Sequence, residues 1–377
     1  GFRVIGERPY ETVDRDGHTV WLHDFMLTTT SQQSIDIKKI RSPFENLFVK
    51  VWQGDAENDS FNRLVLAVGL GWRSVAMLRA YARFFKQSGF SFSQRYIKDA
   101  LVNQPNITRL LVELFNARFK VESEDSDIYE SNLTGDILDA LDNVESLDED
   151  RILRRYLDML AATLRTNFFQ LDENGESKDY ISLKFAPSMI PDLPKPLPMF
   201  EIFVYSPRIE GVHLRGGKVA RGGLRWSDRM EDYRTEVLGL VKAQQVKNAV
   251  IVPVGAKGGF VAKQLPKGAS REDTMAEVVY CYRTFIKGLL DITDNLVDGE
   301  VVPPKNVVRK DEDDTYLVVA ADKGTATFSD IANEIANDYG FWLGDAFASG
   351  GSVGYDHKKM GITARGAWVS VQRHFRE

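Results

Sequence analysis

The chain has 377 residues and a net charge of −6, with 43% apolar and 27% charged residues, which is the composition of an ordinary globular protein of two or three domains. The acidic balance offers no basic surface for nucleic acid, and no run of about 18 apolar residues predicts a membrane span. Because Cys281 is the only cysteine, no internal disulfide can form, and we expect a cytoplasmic location.

The first 30 residues predict a β-hairpin. The segments "FRVIGERPYETV" and "HTVWLHDFML" flank "DRDG", whose Asp-Gly pair is a strong turn signal. His18 and His23 lie five residues apart in this alternating pattern and face opposite sides, so we expect no metal site there. The chain starts within this strand pattern and stops within a helical one, which we interpret as a segment of a longer protein.

Residues from about 43 to 169 have apolar residues at helical spacing and predict a domain of five or six helices. Within it, "VLAVGLGWRS" is similar to a dinucleotide-binding fingerprint. Helical spacing continues through its glycines, however, and Gln94 stands where that fingerprint needs an acidic residue. We therefore favour a helix kink or close packing. The acidic stretch at 122–131 is expected to be a solvated loop.

Strand-like segments take over after residue 170 and alternate with helices between 231 and 339, which favours an open α/β domain. The apolar run "NAVIV" leads into "PVGAKGG", whose spacing does not fit a phosphate loop. We expect the strand to deliver Lys257 into a glycine turn at its carboxyl end, where open α/β sheets bind ligands. The neighbouring cations Arg221 and Lys247 favour its action as a base.

A second strand ends in a similar way. The segment "TYLVVAADKGTATFSDIANEIANDYG" predicts a strand, then Asp322 in a glycine turn, then a helix with a capping box of Thr327 and Asp330 and an end at Gly340. Asp322 and Lys257 would then face one substrate and divide the proton transfers between them. A surface lysine in a turn and an aspartate at an ordinary strand–helix turn are the alternatives.

Four segments, in this order, resemble motifs of the glutamate dehydrogenases: "RGGLRWS", "KNAVIVPVGAKGG", "VAADKGT" and "GITARGAW". With the preceding hairpin and helices, the chain is similar to a segment of the large multidomain NAD-dependent glutamate dehydrogenases of bacteria. The resemblance implies an α/β catalytic domain with an open, mixed sheet flanked by helices, preceded by an all-α domain and a small, partial α+β ACT-like module. The implied domains are the ACT-like regulatory module at 1–40, the helical domain at 41–170, the glutamate-binding catalytic domain at 171–360, and the start of the helix into an NAD-binding domain at 361–377.

The resemblance also implies roles for individual residues. Lys257 matches the lysine that activates the water hydrolysing the imine, and Asp322 matches the proton-shuttling aspartate. Gln244 and Lys247 match residues that hold the substrate α-carboxylate. Arg221 stands where glutamate-specific relatives usually carry a lysine for the side-chain carboxylate. It keeps the positive charge and offers a bidentate fork, so an acidic substrate is favoured.

Three further residues match family positions near the ligands. Gly223 is implied in substrate binding, Thr363 meets the nicotinamide amide, and Lys359 is its basic neighbour. The implied cofactor is NAD, with no metal, and the implied reaction converts L-glutamate to 2-oxoglutarate and ammonium. No G-x-G-x-x-G follows a strand here, so we expect the coenzyme domain outside this chain and no dehydrogenase activity from the chain alone.

The implied partners are further copies of the same chain in a homo-oligomer and an amino-acid effector at the N-terminal module. Two alternatives to this function stay open. One is a dehydrogenase of another amino acid, and the other is a regulatory or assembly segment without catalytic groups.

Overall fold

Three regions follow one another along the chain in its computed structural model: a β-hairpin, a group of helices, and a mixed sheet flanked by helices. The structure describes residues 2–29, 36–121, 126–245, 254–265, 268, 270–354 and 357–376. The order and type of these regions confirm the expected fold class. Among the described residues, every helix is too short or too polar to cross a lipid bilayer.

The N-terminal hairpin pairs β1 (Phe2–Val13) with β2 (Thr19–Thr29) in antiparallel fashion, as the turn signal predicted. The turn is held by the carboxylate of Asp14, which accepts hydrogen bonds from the backbone N–H groups of Asp16 at 2.9 Å and His18 at 2.8 Å. An aspartate that bonds its own following backbone is a common way to close such a turn.

The helical region contains seven α-helices within the described residues, whereas the sequence led us to expect five or six. The helices are α1 (Ile37–Gln53), α2 (Arg63–Ala67), α3 (Trp72–Gln87), α4 (Gln94–Asn103), α5 (Pro105–Phe119), α6 (Ser126–Leu141) and α7 (Leu147–Ala162).

The additional helix arises at "VLAVGLGWRS", where the chain breaks instead of kinking. Gly69 adopts a φ of 79°, which favours glycine, and it separates the end of α2 from the start of α3. The expected helix kink or close packing was therefore wrong, since a Cβ atom on Gly69 or Gly71 would also meet nothing within 4 Å. The segment is still helix–turn–helix and not the strand–turn–helix of a nucleotide site. The expected loop at 122–131 was also wrong from Ser126 onward, where α6 begins; residues 122–125 lie outside the described residues.

The third region is built on an eight-stranded sheet, accompanied by a small two-stranded ribbon. The strands are β3 (Thr163–Thr166), β4 (Ile181–Phe185), β5 (Phe200–Tyr205), β6 (Ile209–Arg215), β7 (Ala220–Trp226), β8 (Val254–Ala262), the ribbon strands β9 (Asn295–Val297) and β10 (Glu300–Val302), β11 (Val318–Ala321) and β12 (Ala348–Ser349). The order across the sheet is β12-β11-β7-β8-β6-β5-β4-β3. The strands from β12 to β8 are parallel and the rest are antiparallel, so the sheet is mixed. The first strand of the sheet in chain order, β3, directly follows α7.

The helices of this region are α8 (Tyr233–Gln245), α9 (Arg271–Leu290), α10 (Ser329–Asp338), α11 (His357–Met360) and α12 (Ile362–His374). Each face of the sheet has its own apolar core. The helical region and α8 cover one face, where Phe84 packs on Phe185 and Phe203 with ring centroids 4.7 and 5.5 Å apart. Helices α9 and α10 cover the other face, where Phe285 lies 5.9 Å from Phe260. The parallel strands β7, β8 and β11 therefore run between two layers of helices.

Candidate active site

Lys257 lies in the middle of strand β8, and the expectation that it follows the strand in a glycine turn was wrong. It pairs with Leu214 of β6 on one side and runs beside Gly223 of β7 on the other. The glycines around it serve close packing. A Cβ atom on Gly259 would lie 2.6 Å from the Cγ2 atom of Val237 in α8. Helix α8 therefore packs directly on this part of the strand because side chains are missing there.

Asp322 follows the last residue of β11, at the carboxyl end of that strand, as expected. Its backbone N–H donates to the hydroxyl of Thr325 at 3.0 Å, and this hydroxyl donates to the carbonyl of Leu224 in β7 at 2.6 Å. The turn is thus tied to the neighbouring strand. Gly324, with a φ of 82°, completes it.

The expected capping box of Thr327 and Asp330 was wrong. Helix α10 begins at Ser329, and its cap residue, Phe328, has no side-chain hydrogen bond. The carboxylate of Asp330 instead accepts the backbone N–H of Ser352 at 2.7 Å, so this side chain holds the loop after β12. The expected end of the helix is confirmed, since Gly340 follows it with a φ of 59°.

The sheet brings Lys257 and Asp322 into direct contact. The Nζ atom of Lys257 lies 3.1 Å from Oδ2 of Asp322, and the two side chains are 21% and 17% exposed. The other carboxylate oxygen, Oδ1, accepts the backbone N–H of Lys323 at 2.7 Å and Nη2 of Arg225 at 3.2 Å. The pair is therefore partly shielded from water but still open on one side.

Electrostatics favour the carboxylate form of Asp322. Burial by itself raises the pKa of this group, but the hydrogen bonds from Lys323 N–H, from Lys257 and from Arg225 outweigh burial and hold the pKa below its ordinary value. The site therefore presents an ionised carboxylate beside a lysine, which is an arrangement able to accept and return protons.

The glycines of "RGGLRWS" allow the strands to approach. A Cβ atom on Gly222 would lie 1.4 Å from the carbonyl oxygen of Ala256, so only glycine fits between β7 and β8. On the opposite face, a Cβ atom on Gly223 would lie 2.9 Å from the carbonyl of Ala321 and 3.0 Å from Cβ of Asp322. Gly223 thus allows the turn that carries Asp322 to lie close to β7.

Arg221 lies on the same face as Lys257, one alternation before Gly223 along β7. It is exposed, and it lines a cavity of about 400 Å³ together with residues of β11, β12 and the loop after β12. The backbone carbonyl of Arg221 accepts Nε2 of Gln244 at 3.5 Å. The Oε1 atom of Gln244 is buried over Gly255 and has no hydrogen-bond partner within the described part of the chain. These two residues therefore border the same side of the sheet.

The remaining expected residues lie elsewhere or cannot be described. Lys247 lies outside the described residues. Lys359 is exposed on α11, and Thr363 lies in the first turn of α12, after the last strand of the sheet. The structure thus brings together Lys257, Asp322 and Gly223, with Arg221 and Gln244 beside them.

Arg225 is the residue that the sequence analysis missed. Its Nη1 atom lies 2.9 Å from Oε1 of Glu236 in α8, while Nη2 reaches Asp322. The sequence did contain a signal for Arg225: side chains alternate between the two faces of a strand, so positions 221, 223 and 225 share one face.

Comparisons with known proteins agree with this architecture. A family model described as bacterial NAD-glutamate dehydrogenase, catalytic domain, matches residues 136–377. Two further models of glutamate dehydrogenase parts match the preceding residues. They are helical motif 3, at residues 56–121, and the ACT3 domain, at residues 1–40.

Three similar relatives are NAD-specific glutamate dehydrogenases of bacteria. That of Pseudomonas aeruginosa is 65% identical over 381 residues, which cover 100% of this chain and 24% of the relative. Those of Halomonas elongata and Mycobacterium tuberculosis are 61% and 52% identical, again over 100% of this chain and over 23% and 24% of the relatives. The chain therefore spans about a quarter of the length of these relatives.

Proposed function

The chain belongs to the bacterial NAD-glutamate dehydrogenase family, and from this premise we propose that the protein containing it oxidises L-glutamate to 2-oxoglutarate and ammonium with NAD. The observation that carries the proposal is the contact between Lys257 and Asp322 on a glycine-lined sheet face that also bears Arg221. An ionised carboxylate, a lysine and a guanidinium on one open surface suit a substrate with an amino group and two carboxylates.

The spacing along β7 supports a dicarboxylic substrate. Arg221 lies two residues before Gly223, which runs beside Lys257, so the backbone of Arg221 lies about 7 Å along the strand from the level of Lys257. The carbon chain of glutamate, extended along this face, spans most of this distance, and the long side chain of Arg221 covers the rest. The guanidinium then binds the side-chain carboxylate in a bidentate fork. We assign the α-carboxylate to Gln244 and Lys247.

The reaction divides between the two residues in contact. Because its pKa is held below the ordinary value, Asp322 is a carboxylate and accepts a proton from the substrate ammonium. When bound, NAD would supply the acceptor for the hydride of the α-carbon. Lys257 then orients the water that attacks the substrate iminium carbon, and Asp322 returns protons to the departing ammonia. The close contact of the two side chains lets one proton pass between them without a water chain.

The coenzyme contact assigned to this chain is limited to the nicotinamide end. Helix α12 begins after Gly361, whose φ is 59° and which offers no side-chain cap, so first-turn N–H groups, including that of Thr363, lack a side-chain acceptor at the cap position. This suits a polar amide ligand. We propose that Thr363 contacts the nicotinamide amide and that Lys359 adds positive charge nearby.

A substrate comparison on the full-length protein tests this function. Steady-state NADH formation is measured with glutamate, aspartate, leucine and phenylalanine. We expect glutamate to give the highest kcat/KM by about a hundredfold or more, since the guanidinium of Arg221 pairs with the side-chain carboxylate that leucine and phenylalanine lack. Arg221→Met should lower kcat/KM for glutamate by about a hundredfold and leave leucine unchanged. A preference for leucine or phenylalanine in the wild type contradicts the role of Arg221 and supports another amino-acid dehydrogenase.

We also propose a division of labour along the chain, with boundaries at 1–40, 41–170, 171–360 and 361–377. The first module binds an amino-acid effector, and the helical region makes contacts within a cytoplasmic homo-oligomer. Large apolar side chains exposed on these parts support contacts with other surfaces; Trp21 is 56% and Trp52 82% exposed. Deletion of residues 1–40 from the full-length protein should abolish the response to amino-acid effectors. Unchanged responses contradict the regulatory assignment.

A further inference from the structure

We propose that Arg225 is a positioning residue that fixes the carboxylate of Asp322 against Lys257, and that Glu236 and Ser227 fix Arg225. This inference rests on the proposed function of Lys257 and Asp322. It adds a chain of side chains that connects helix α8 to the reacting pair across three strands of the sheet.

The guanidinium of Arg225 lies between two carboxylates. Nη1 of Arg225 lies 2.9 Å from Glu236, and Nη2 lies 3.2 Å from Oδ1 of Asp322. A guanidinium is planar and rigid, so fixing one nitrogen fixes the direction of the other. The carboxylate of Asp322 is then held by Oδ1, which leaves Oδ2 for Lys257.

Glu236 is in turn anchored by Ser227. Its Oε2 atom accepts the hydroxyl of Ser227 at 2.6 Å. Ser227 is buried, and its backbone N–H donates to the carbonyl of Phe260 in β8 at 2.8 Å. The chain of contacts therefore ends on the same strand that carries Lys257. Lys257 belongs to β8, and Ser227 is hydrogen-bonded to β8, so both ends of this chain of contacts are attached to that strand. A shift of Arg225 would therefore alter the distance between Asp322 and Lys257.

Three groups contact the carboxylate of Asp322: Lys257 of β8, Arg225 of β7, and the backbone N–H of Lys323 in the same turn. Glu236 of α8 is linked to Asp322 through Arg225. Arg225 is one of the groups that lower the pKa of Asp322. Its removal raises this pKa, whereas removal of Glu236 leaves the arginine cation for Asp322 alone.

A role limited to tying α8 to the sheet predicts different behaviour. Loss of such a tie lowers stability, or lowers activity equally at every pH. Loss of a positioning cation lowers kcat more than it changes KM, and the loss grows as pH falls and Asp322 becomes protonated. The two roles are therefore separable by a pH profile and by a conservative variant.

The test uses the full-length enzyme and its variants Arg225→Gln, Arg225→Lys and Glu236→Gln, with kcat and KM measured from pH 5 to 9. We expect Arg225→Gln to lower kcat about tenfold to a hundredfold at pH 8 with KM changed less than about threefold, and to move the acidic limb of the kcat profile to higher pH than in wild type. Arg225→Lys should restore the wild-type pH dependence and only part of kcat, because one ammonium cannot bridge both carboxylates. Glu236→Gln should show a smaller loss without the added loss at low pH.

Three results would overturn the inference. They are activity of Arg225→Gln within threefold of wild type at all pH values, a loss that does not depend on pH, or equal behaviour of the lysine and glutamine variants. If Arg225→Gln does not fold, the comparison of Arg225→Lys with Glu236→Gln decides. Should the wild type turn over another amino acid and not glutamate, the proposed function fails, and the same profiles measured with that amino acid still test the positioning role.

Discussion

Two clusters of ion pairs lie on opposite faces of one sheet. They differ in how many hydrogen bonds their charged groups make and in how far they are exposed to water. The site pair is Lys257 with Asp322. The second cluster, here called the buried network, consists of Arg165, Lys184, Arg215, Asp294, Asp311 and Asp314. Its side chains are at most 8% exposed, whereas those of the site pair are 21% and 17% exposed. Arg215 of β6 pairs with Ala256 of β8, and Lys257 is the next residue of β8. Because successive side chains of a strand lie on opposite faces, Arg215 and Lys257 lie on opposite faces of the sheet.

Each cation of the buried network bonds at least two carboxylate oxygens. Arg165 binds Asp294 through two contacts of 2.9 and 3.0 Å, and Lys184 lies between Asp311 at 2.5 Å and Asp314 at 2.7 Å. A charge without water needs such pairing, since an unpaired buried charge is very costly. Lys257, in contrast, contacts one carboxylate oxygen among the described residues, and its side chain is partly exposed. The structural cluster thus compensates its charges within the protein, whereas the reactive pair keeps bonding capacity for a ligand.

The largest expected effect tests the reactive side of this comparison. Lys257→Ala in the full-length enzyme should lower kcat about a thousandfold or more, because the attacking water loses the group that orients it and Asp322 loses its partner for proton transfer. The free energy of unfolding should change by less than about 1 kcal/mol, since the ion pair is partly exposed. Lys218→Ala is the matched control: this lysine bonds exposed Glu312 at 2.6 Å, and its loss should affect neither quantity. Turnover by Lys257→Ala within a few-fold of wild type would remove Lys257 from the mechanism.

The structural side is tested by Asp314→Asn. This change leaves Lys184 and Arg215 without their shared carboxylate, so the free energy of unfolding should fall by about 3–5 kcal/mol in urea titrations. The adjacent Asp313→Asn is the control, because Asp313 is 59% exposed and bonds only Arg309 among the described residues; it should cost less than about 1 kcal/mol. Equal losses from the two variants would mean that burial does not distinguish them.

A pH effect sharpens the comparison on the buried face. His213 faces the same side as Arg215, and burial followed by the nearby arginine lowers its pKa from 6.5 to about 3. The unfolded chain binds a proton near pH 6.5 and the folded chain does not, so stability is full above that value and is lost as pH falls. From pH 6.5 to 5 this loss is about 2 kcal/mol. In His213→Leu, the free energy of unfolding measured by urea titration should no longer show this dependence on pH. A pH dependence equal to that of the wild type would contradict the role of His213.

The sequence indicated the reactive pair better than the buried network. Asp322 could be located because a strand, a polar residue and a glycine turn are consecutive in the chain. Lys257 was assigned to a turn, because glycines that admit a packed helix look the same in sequence as glycines that bend the backbone. Arg215 and Asp314 lie 99 residues apart, so only the tertiary fold reveals their contact. Local patterns therefore predicted the elements and the ordered motifs, but not the long-range partners of charged side chains.

The smallest expected effect separates the two roles of glycine near the site pair. Gly259→Ala places a Cβ atom 2.6 Å from Val237, so α8 must move away from β8. We expect a loss of about 1–2 kcal/mol of unfolding free energy and a fall in kcat, because α8 carries Glu236 and Gln244. Gly239→Ala on the same helix is the control. Its Cβ atom meets nothing within 4 Å, so helix propensity alone should raise stability by about 0.5–1 kcal/mol and leave kcat unchanged. If both alanines behave alike, the glycines of β8 are not required for the packing of α8 over the reactive pair.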